Sequence, residues 1–229
     1  MTIYYRALTY YLNFNFERKN VRKFSLFIKL KALLIFLVTS LIASNLVAEN
    51  LTFWNPSKNI GVEVSIPVWA LEEKVESKTE NGIKEDGKLY SNIKIYQYGD
   101  NPSLWEKFFS IQIEEGVKDP LEVFKDIQLS VYLNYCNRDS LKYNLLKQTN
   151  EQVVFNIFCP EYKKNKSIGE IAVFSMVRFK NYFVKTFQQW RGENMLANDR
   201  STWVANDAEL IEAIKSLSSL NIKFEEGKK

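Results

Sequence analysis

Ile171-Ala172-Val173-Phe174-Ser175-Met176-Val177 decides the fold. Successive strand residues point to opposite faces, so a strand wet on one side alternates polar with apolar. Here both parities are apolar: Ile171, Val173 and Val177 on one, Ala172, Phe174 and Met176 on the other. Such a strand is covered on both sides and lies centrally in its sheet. It belongs to Ser167–Phe179, which is followed by the equally apolar Tyr182–Trp190, and Lys180-Asn181 supplies the turn.

Further strands are expected on either side of this pair. Downstream of a predicted helix, Leu141–Gln148 and Gln152–Phe158 read as a hairpin across Thr149-Asn150-Glu151, with Pro160 stopping the second strand. Upstream, Leu51–Trp54, Ile60–Trp69, Leu89–Tyr98 and Trp105–Ile113 read as strands. Pro67 ends or edges the second of these. Glu72–Lys88 is charge-rich with Asn81-Gly82 and Asp86-Gly87, and reads as a solvated connection or hairpin tip.

Asp119-Pro120-Leu121-Glu122 has the grammar of a helix start. Leu121, Phe124, Ile127, Val131, Tyr132 and Tyr135 then recur near a 3.6 period, predicting a helix to about Tyr135 with Cys136 at its end. A second helix begins at Asp207 and carries Leu210, Ile214 and Leu217. Asn221–Phe224 can add a short strand. The expected class is α+β: a single antiparallel sheet with one mid-chain helix and one C-terminal helix packed on it.

The amino end has a different character. Val21–Ala48 begins with Arg22, Lys23, Lys29 and Lys31, runs apolar from Ala32 to Ala43, and closes on small and polar residues. Basic, apolar, then small is the order of a secretory signal. Removal after Ala48 would leave Glu49 at the new terminus, with cuts after Ala43 or Ser44 as runners-up. The alternative is an inner-membrane anchor over residues 30–48, but its unbroken apolar run is short of the roughly 20 residues of a span. Residues 1–20 suit a leader poorly, so Val21 is a candidate start. The domain organisation is therefore a leader over 1–48 and one exported domain over 49–229, periplasmic or secreted, touching a membrane only if the leader is kept.

The full chain is +4, but the basic excess sits in the leader. From Glu49 onward there are 24 basic and 26 acidic residues. A nucleic-acid partner wants a retained cationic face, so none is expected. The cysteines, Cys136 and Cys159, both lie in the exported part, and an even pair in an oxidising compartment reads as a disulfide.

The chain has no His, which removes Ser-His-Asp and Cys-His nucleophile systems and His-ligated zinc. Gly82–Lys88 matches GxxxxGK, but Leu89 stands where Ser or Thr must hold magnesium, and a strand follows instead of a helix. Ser91 and Lys94 match SxxK, a dyad that needs a helix to share a face, whereas LYSNIKIYQY alternates like a strand. The carboxylate pairs Glu72-Glu73 and Glu114-Glu115 are adjacent in sequence and diverge in space. Trp54, Trp69, Trp105, Trp190 and Trp203 are expected mostly in the core. No catalytic, cofactor or metal residue is implied.

In element order, Leu51 to Phe224 is similar to the PsbP-like fold, whose bacterial envelope members include the DcrB group. That resemblance implies a non-catalytic binding or assembly factor, and no motif transfers a functional residue. The expectation is an exported, non-catalytic domain with a protein partner. The alternatives are a small-ligand or lipid carrier with an aromatic-lined cavity, and a His-independent hydrolase.

Overall fold

The computed structural model describes residues 49–85, 87–100 and 105–225. The leader readings, including Ala48, the Val21 start and the anchor over 30–48, lie outside the described residues.

The chain runs β1 (Asn50–Trp54), β2 (Ile60–Ser65), α1 (Val68–Glu72), β3 (Val75–Ile83), β4 (Leu89–Gln97) and β5 (Lys107–Glu115). Then come α2 (Leu121–Tyr135), β6 (Lys142–Gln148), β7 (Gln152–Cys159), β8 (Ile168–Phe179) and β9 (Tyr182–Glu193). A 3₁₀ turn (Arg200–Thr202), α3 (Asp207–Ser218) and β10 (Asn221–Phe224) complete it.

The strands form two sheets, not one. A seven-stranded antiparallel sheet has the order β3-β4-β5-β9-β8-β7-β6, and a three-stranded antiparallel sheet has the order β1-β2-β10. Among the described residues there are three α-helices and about half lie in strands, so the fold is β-rich. The expected α+β single sheet with two helices is therefore corrected.

Two features caused the difference. β3 is an edge strand, so one side of its ladder and most of its side chains face water, and its composition is that of a connection. Its nine-residue pairing with β4 is continuous, from Val75 opposite Gln97 to Ile83 opposite Leu89. The second feature is Pro67, which ends β2 at Ser65 and caps α1. Freed from the large sheet, β2 pairs with β1 and with the far C-terminal β10.

β8 is central, flanked by β9 and β7. On one face Ile171, Val173 and Val177 pack with Phe109, Ile111 and Val184, beneath Val62 and Val64 of the small sheet and Ala213 and Leu217 of α3. On the other, Ala172, Phe174 and Met176 pack with Phe155, Phe187 and the inner side of α2, at Leu121 and Tyr132. Phe155 and Phe174 stack at 5.0 Å, each fully buried, an arrangement worth about 2–3 kcal/mol per ring in removed apolar surface.

The connection from β5 to β6 carries α2 across the face of β9, β8 and β7. Phe124 stacks on Phe183 at 4.2 Å. Pro120 occupies the N-cap with no side-chain cap bond, so Asp119 does not cap α2. α3 has a complete capping box: Asn206 accepts from the Ala208 and Glu209 amides, and Glu209 returns a bond to the Asn206 amide.

Candidate functional site

Cys136 and Cys159 are joined by a disulfide with Cα atoms 5.8 Å apart, tying the end of α2 to the end of β7. α2 stops because Cys136 turns extended, at φ −87° and ψ 153°. The next residues run antiparallel to the chain after β7. The Asn137 amide donates to the Glu161 carbonyl (3.2 Å), and the Lys163 amide to that of Tyr135 (2.8 Å). The last turn of any α-helix leaves carbonyls unpaired. Here Lys163 Nζ takes two of them, Leu133 O at 2.8 Å and Asn134 O at 3.2 Å, and its charge opposes the negative helix end.

Antiparallel register sets the next layer. Cys159 pairs with Glu170, and Glu170 with Arg191, so three adjacent strands place these residues in one row. Glu170 is 2% exposed. Buried, an unpaired carboxylate would be costly by several kcal/mol. It is met by donors instead: the hydroxyls of Tyr132 and Tyr162, and Gln189 Nε2 at 2.8 Å. Arg191 Nη2 stands 3.8 Å away. Gln189 Nε2 also donates to the Tyr132 hydroxyl at 2.9 Å.

Burial pushes the Glu170 carboxyl above its ordinary value, while Tyr132, Tyr162, Arg191 and Gln189 pull it back. Burial and the Glu170 charge raise the phenols of Tyr132, Tyr135 and Tyr162, so all three keep their protons. The Arg191 guanidinium lies 4.0 Å from the centre of the Trp105 ring and 5.8 Å from that of Tyr162. Glu170 behind it and indole beside it hold a cation at a fixed place.

That cation faces a cleft of about 420 Å³ lined by Asn134, Tyr135, Tyr162, Lys163, Lys164 and Arg191. Tyr135 and Tyr162 meet edge to face, at 5.0 Å and 85°. Three of the six lining residues are cationic and none is acidic, in a domain with slightly more acids than bases. Aromatic walls with a fixed guanidinium suit binding. Glu170 is buried behind Tyr162 and Arg191, with its carboxylate facing the Arg191 guanidinium.

The other candidates are placed as follows. Gly82–Lys88 joins β3 to β4 as a hairpin, with no helix after it. Ser91 and Lys94 lie at opposite parities of β4, where Ser91 pairs with Ile113 and Lys94 with Ser110. Trp69, Trp105 and Trp190 are buried, and Trp203 stacks on Phe158 at 4.4 Å.

Carboxylates do converge in a second cleft, which holds Glu72, Glu73, Glu209 and Glu212. There Lys107 Nζ bonds Glu73 at 2.7 Å and stands 3.8 Å from Glu209, which is also used in the α3 capping box. Burial raises Glu73, but Lys107 and Gln97 prevail and leave it below its ordinary value. Glu73 and Glu209 thus have structural uses, and burial raises the Glu212 carboxyl above its ordinary value.

Sequence reasoning passed over Glu170, Arg191, Tyr132 and Tyr162. One signal was available: Glu170 is the single acid within the apolar β8, and a charge there needs partners from neighbouring elements. Compared with known proteins, the chain matches no family model, no curated protein and no solved structure.

Proposed function

We propose that this chain is an exported, non-catalytic binding or assembly domain that engages a protein partner through the tyrosine-walled cationic cleft beside the Cys136–Cys159 bridge. The observation that carries the reading is the fixed Arg191, braced by buried Glu170 and stacked on Trp105, facing an open cleft. Export is supported by the leader and by the disulfide, which persists in oxidising compartments. No helix among the described residues is long and apolar enough to cross a membrane.

A photo-reactive amino acid at Lys164, on the rim, tests this against one at Lys180, in the β8–β9 turn. In cells, a discrete protein adduct is expected from position 164 in the exported fraction and none from 180. Identical adducts from both positions, or none from 164, would sink the reading. So would recovery of the intact chain in cytosol with free thiols.

A small-ligand carrier is the second reading. The cleft volume, within the range of sites that hold small molecules, favours it.

A further inference from the structure

We infer that the cleft receives a carboxylate carried next to an aromatic ring, supplied by an acidic peptide segment of the partner; this rests on the binding reading above.

The charge argument comes first. Arg191, Lys163 and Lys164 line the cleft without an acid among them. The negative end of α2 beside the cleft would repel an anion. Lys163 covers it by bonding the Leu133 and Asn134 carbonyls. Glu170 neutralises part of the Arg191 charge, yet it is 2% exposed and lies on the interior side. An incoming anion therefore meets the cations and not the buried carboxylate.

Shape narrows the class. A guanidinium is planar and matches a carboxylate in a two-point contact. Arg191 is fixed before binding by Trp105 and Glu170, so little side-chain freedom is lost on contact. Tyr135 and Tyr162 present ring surface beside it. An aromatic ring of the ligand gains offset or edge contacts there, beyond its buried area. A bare inorganic anion would use the charge and leave the rings unused.

Peptides test this on the full exported domain by titration with NMR. The probe is Ac-Ala-Asp-Phe-Ala-amide, compared with Asn in place of Asp, Ala in place of Phe, free N-acetyl-phenylalanine and inorganic phosphate. Saturable shifts are expected at Tyr135, Tyr162, Lys164 and Arg191. The Asn and Ala forms should each bind about tenfold more weakly, the scale of one lost charged hydrogen bond or ring contact. Affinity should fall as salt rises.

Arg191→Gln should abolish the preference for Asp over Asn. Should that variant fail to fold, Lys164→Ala on the exposed rim is expected to weaken the Asp peptide about threefold and leave the Asn peptide unchanged. Equal binding of the Asp and Asn peptides, or shifts away from the cleft, overturns the inference. Tighter binding of phosphate overturns the carboxylate. N-acetyl-phenylalanine binding as tightly as the peptide overturns the peptide source. A partner cross-linked from position 164 together with equal Asp and Asn affinities would leave the binding reading standing and remove the ligand class alone.

Discussion

Tyr132 on α2 and Glu170 on β8 are 38 residues apart in sequence and joined in the interior, the phenol donating to Glu170 Oε1. The contact fixes the helix to the sheet at the point where the cleft begins. Tyr132→Phe removes that donor and the acceptor of Gln189 while keeping the ring. It should lower unfolding free energy by about 1–3 kcal/mol. Glu170→Gln places amide hydrogens against the same donors and strips Arg191 of its counter-charge, for a loss of about 3–5 kcal/mol. Urea unfolding checks both. A Glu170→Gln protein as stable as the parent would show that the hub is not holding the layers.

The same carboxyl predicts a pH dependence. Burial leaves Glu170 with a proton affinity above its ordinary 4.5, even facing Tyr132, Tyr162, Gln189 and Arg191. Below about pH 4.5 both folded and unfolded chains carry the proton, and the group is neutral in its effect. Above it, the unfolded chain releases the proton more readily than the folded one, so stability falls until the folded value is passed. Glu212, raised chiefly by burial, adds in the same direction. Glu63, Glu80 and Asp199, held low by hydrogen-bond donors, act oppositely and at lower pH. Unfolding measured at pH 4.5, 6 and 7.5 should show a decline in the parent that is smaller in Glu170→Gln.

The Cys136–Cys159 bridge closes a sequence separation of 23. Its loss in Cys136→Ser/Cys159→Ser should cost about 3 kcal/mol by loop-closure entropy. The loss should also be local in hydrogen exchange. The amides of Asn137 and Lys163, which bond across the segment the bridge pins, should lose protection before those of β8. Uniform exchange across the domain would contradict a local role.

Which parts of this fold were legible follows from where each residue's environment comes from. β8 was legible because its two-sided apolarity is a local record of two covering layers. α3 was legible because its apolar face lies within one stretch, although the Asn206–Glu209 capping box was not read. β3 was not, because an edge strand borrows its stability from β4 and needs no apolar face of its own. The small sheet was not, because β10 reaches β2 from more than 150 residues away. Of the cleft, the disulfide was legible from residue type and the compartment expected from residues 21–48. The Glu170–Arg191 row depends on the register of β7, β8 and β9, which no single stretch encodes.

α2 shows the same limit and gives a direct test. Its apolar residues span more than one side. Phe124 stacks on Phe183, while Val123, Ile127 and Val131 form an exposed outer stripe. The reading that grouped Ile127 and Val131 with Phe124 in one 3.6-period set is corrected, because only Phe124 of the three meets the sheet. Ile127→Lys should change stability by no more than about 0.5 kcal/mol. Phe124→Ala should cost about 3 kcal/mol. Thermal unfolding distinguishes them, and equal losses would mean that the stripe is covered.

Gly169 lies against the Pro160 backbone, two residues before the cleft residue Tyr162. A Cβ there would stand 2.3 Å from the Pro160 carbonyl oxygen and 2.6 Å from Met195 Cε. The methionine can swing aside, but the carbonyl belongs to the backbone that leads directly to Tyr162. Gly169→Ala must therefore push Pro160–Tyr162 outward, for a cost of about 1–3 kcal/mol. The displacement would lengthen the contact of the Tyr162 hydroxyl with Glu170 and widen the Tyr135–Tyr162 walls. Peptide affinity should fall with stability, whereas Gly87→Ala, at an open turn with φ 79°, should cost stability through strain alone and leave the cleft intact. Unfolding and titration on the two variants separate these outcomes. An unchanged affinity in a destabilised Gly169→Ala protein would show that the Pro160–Tyr162 backbone does not set the geometry of the site.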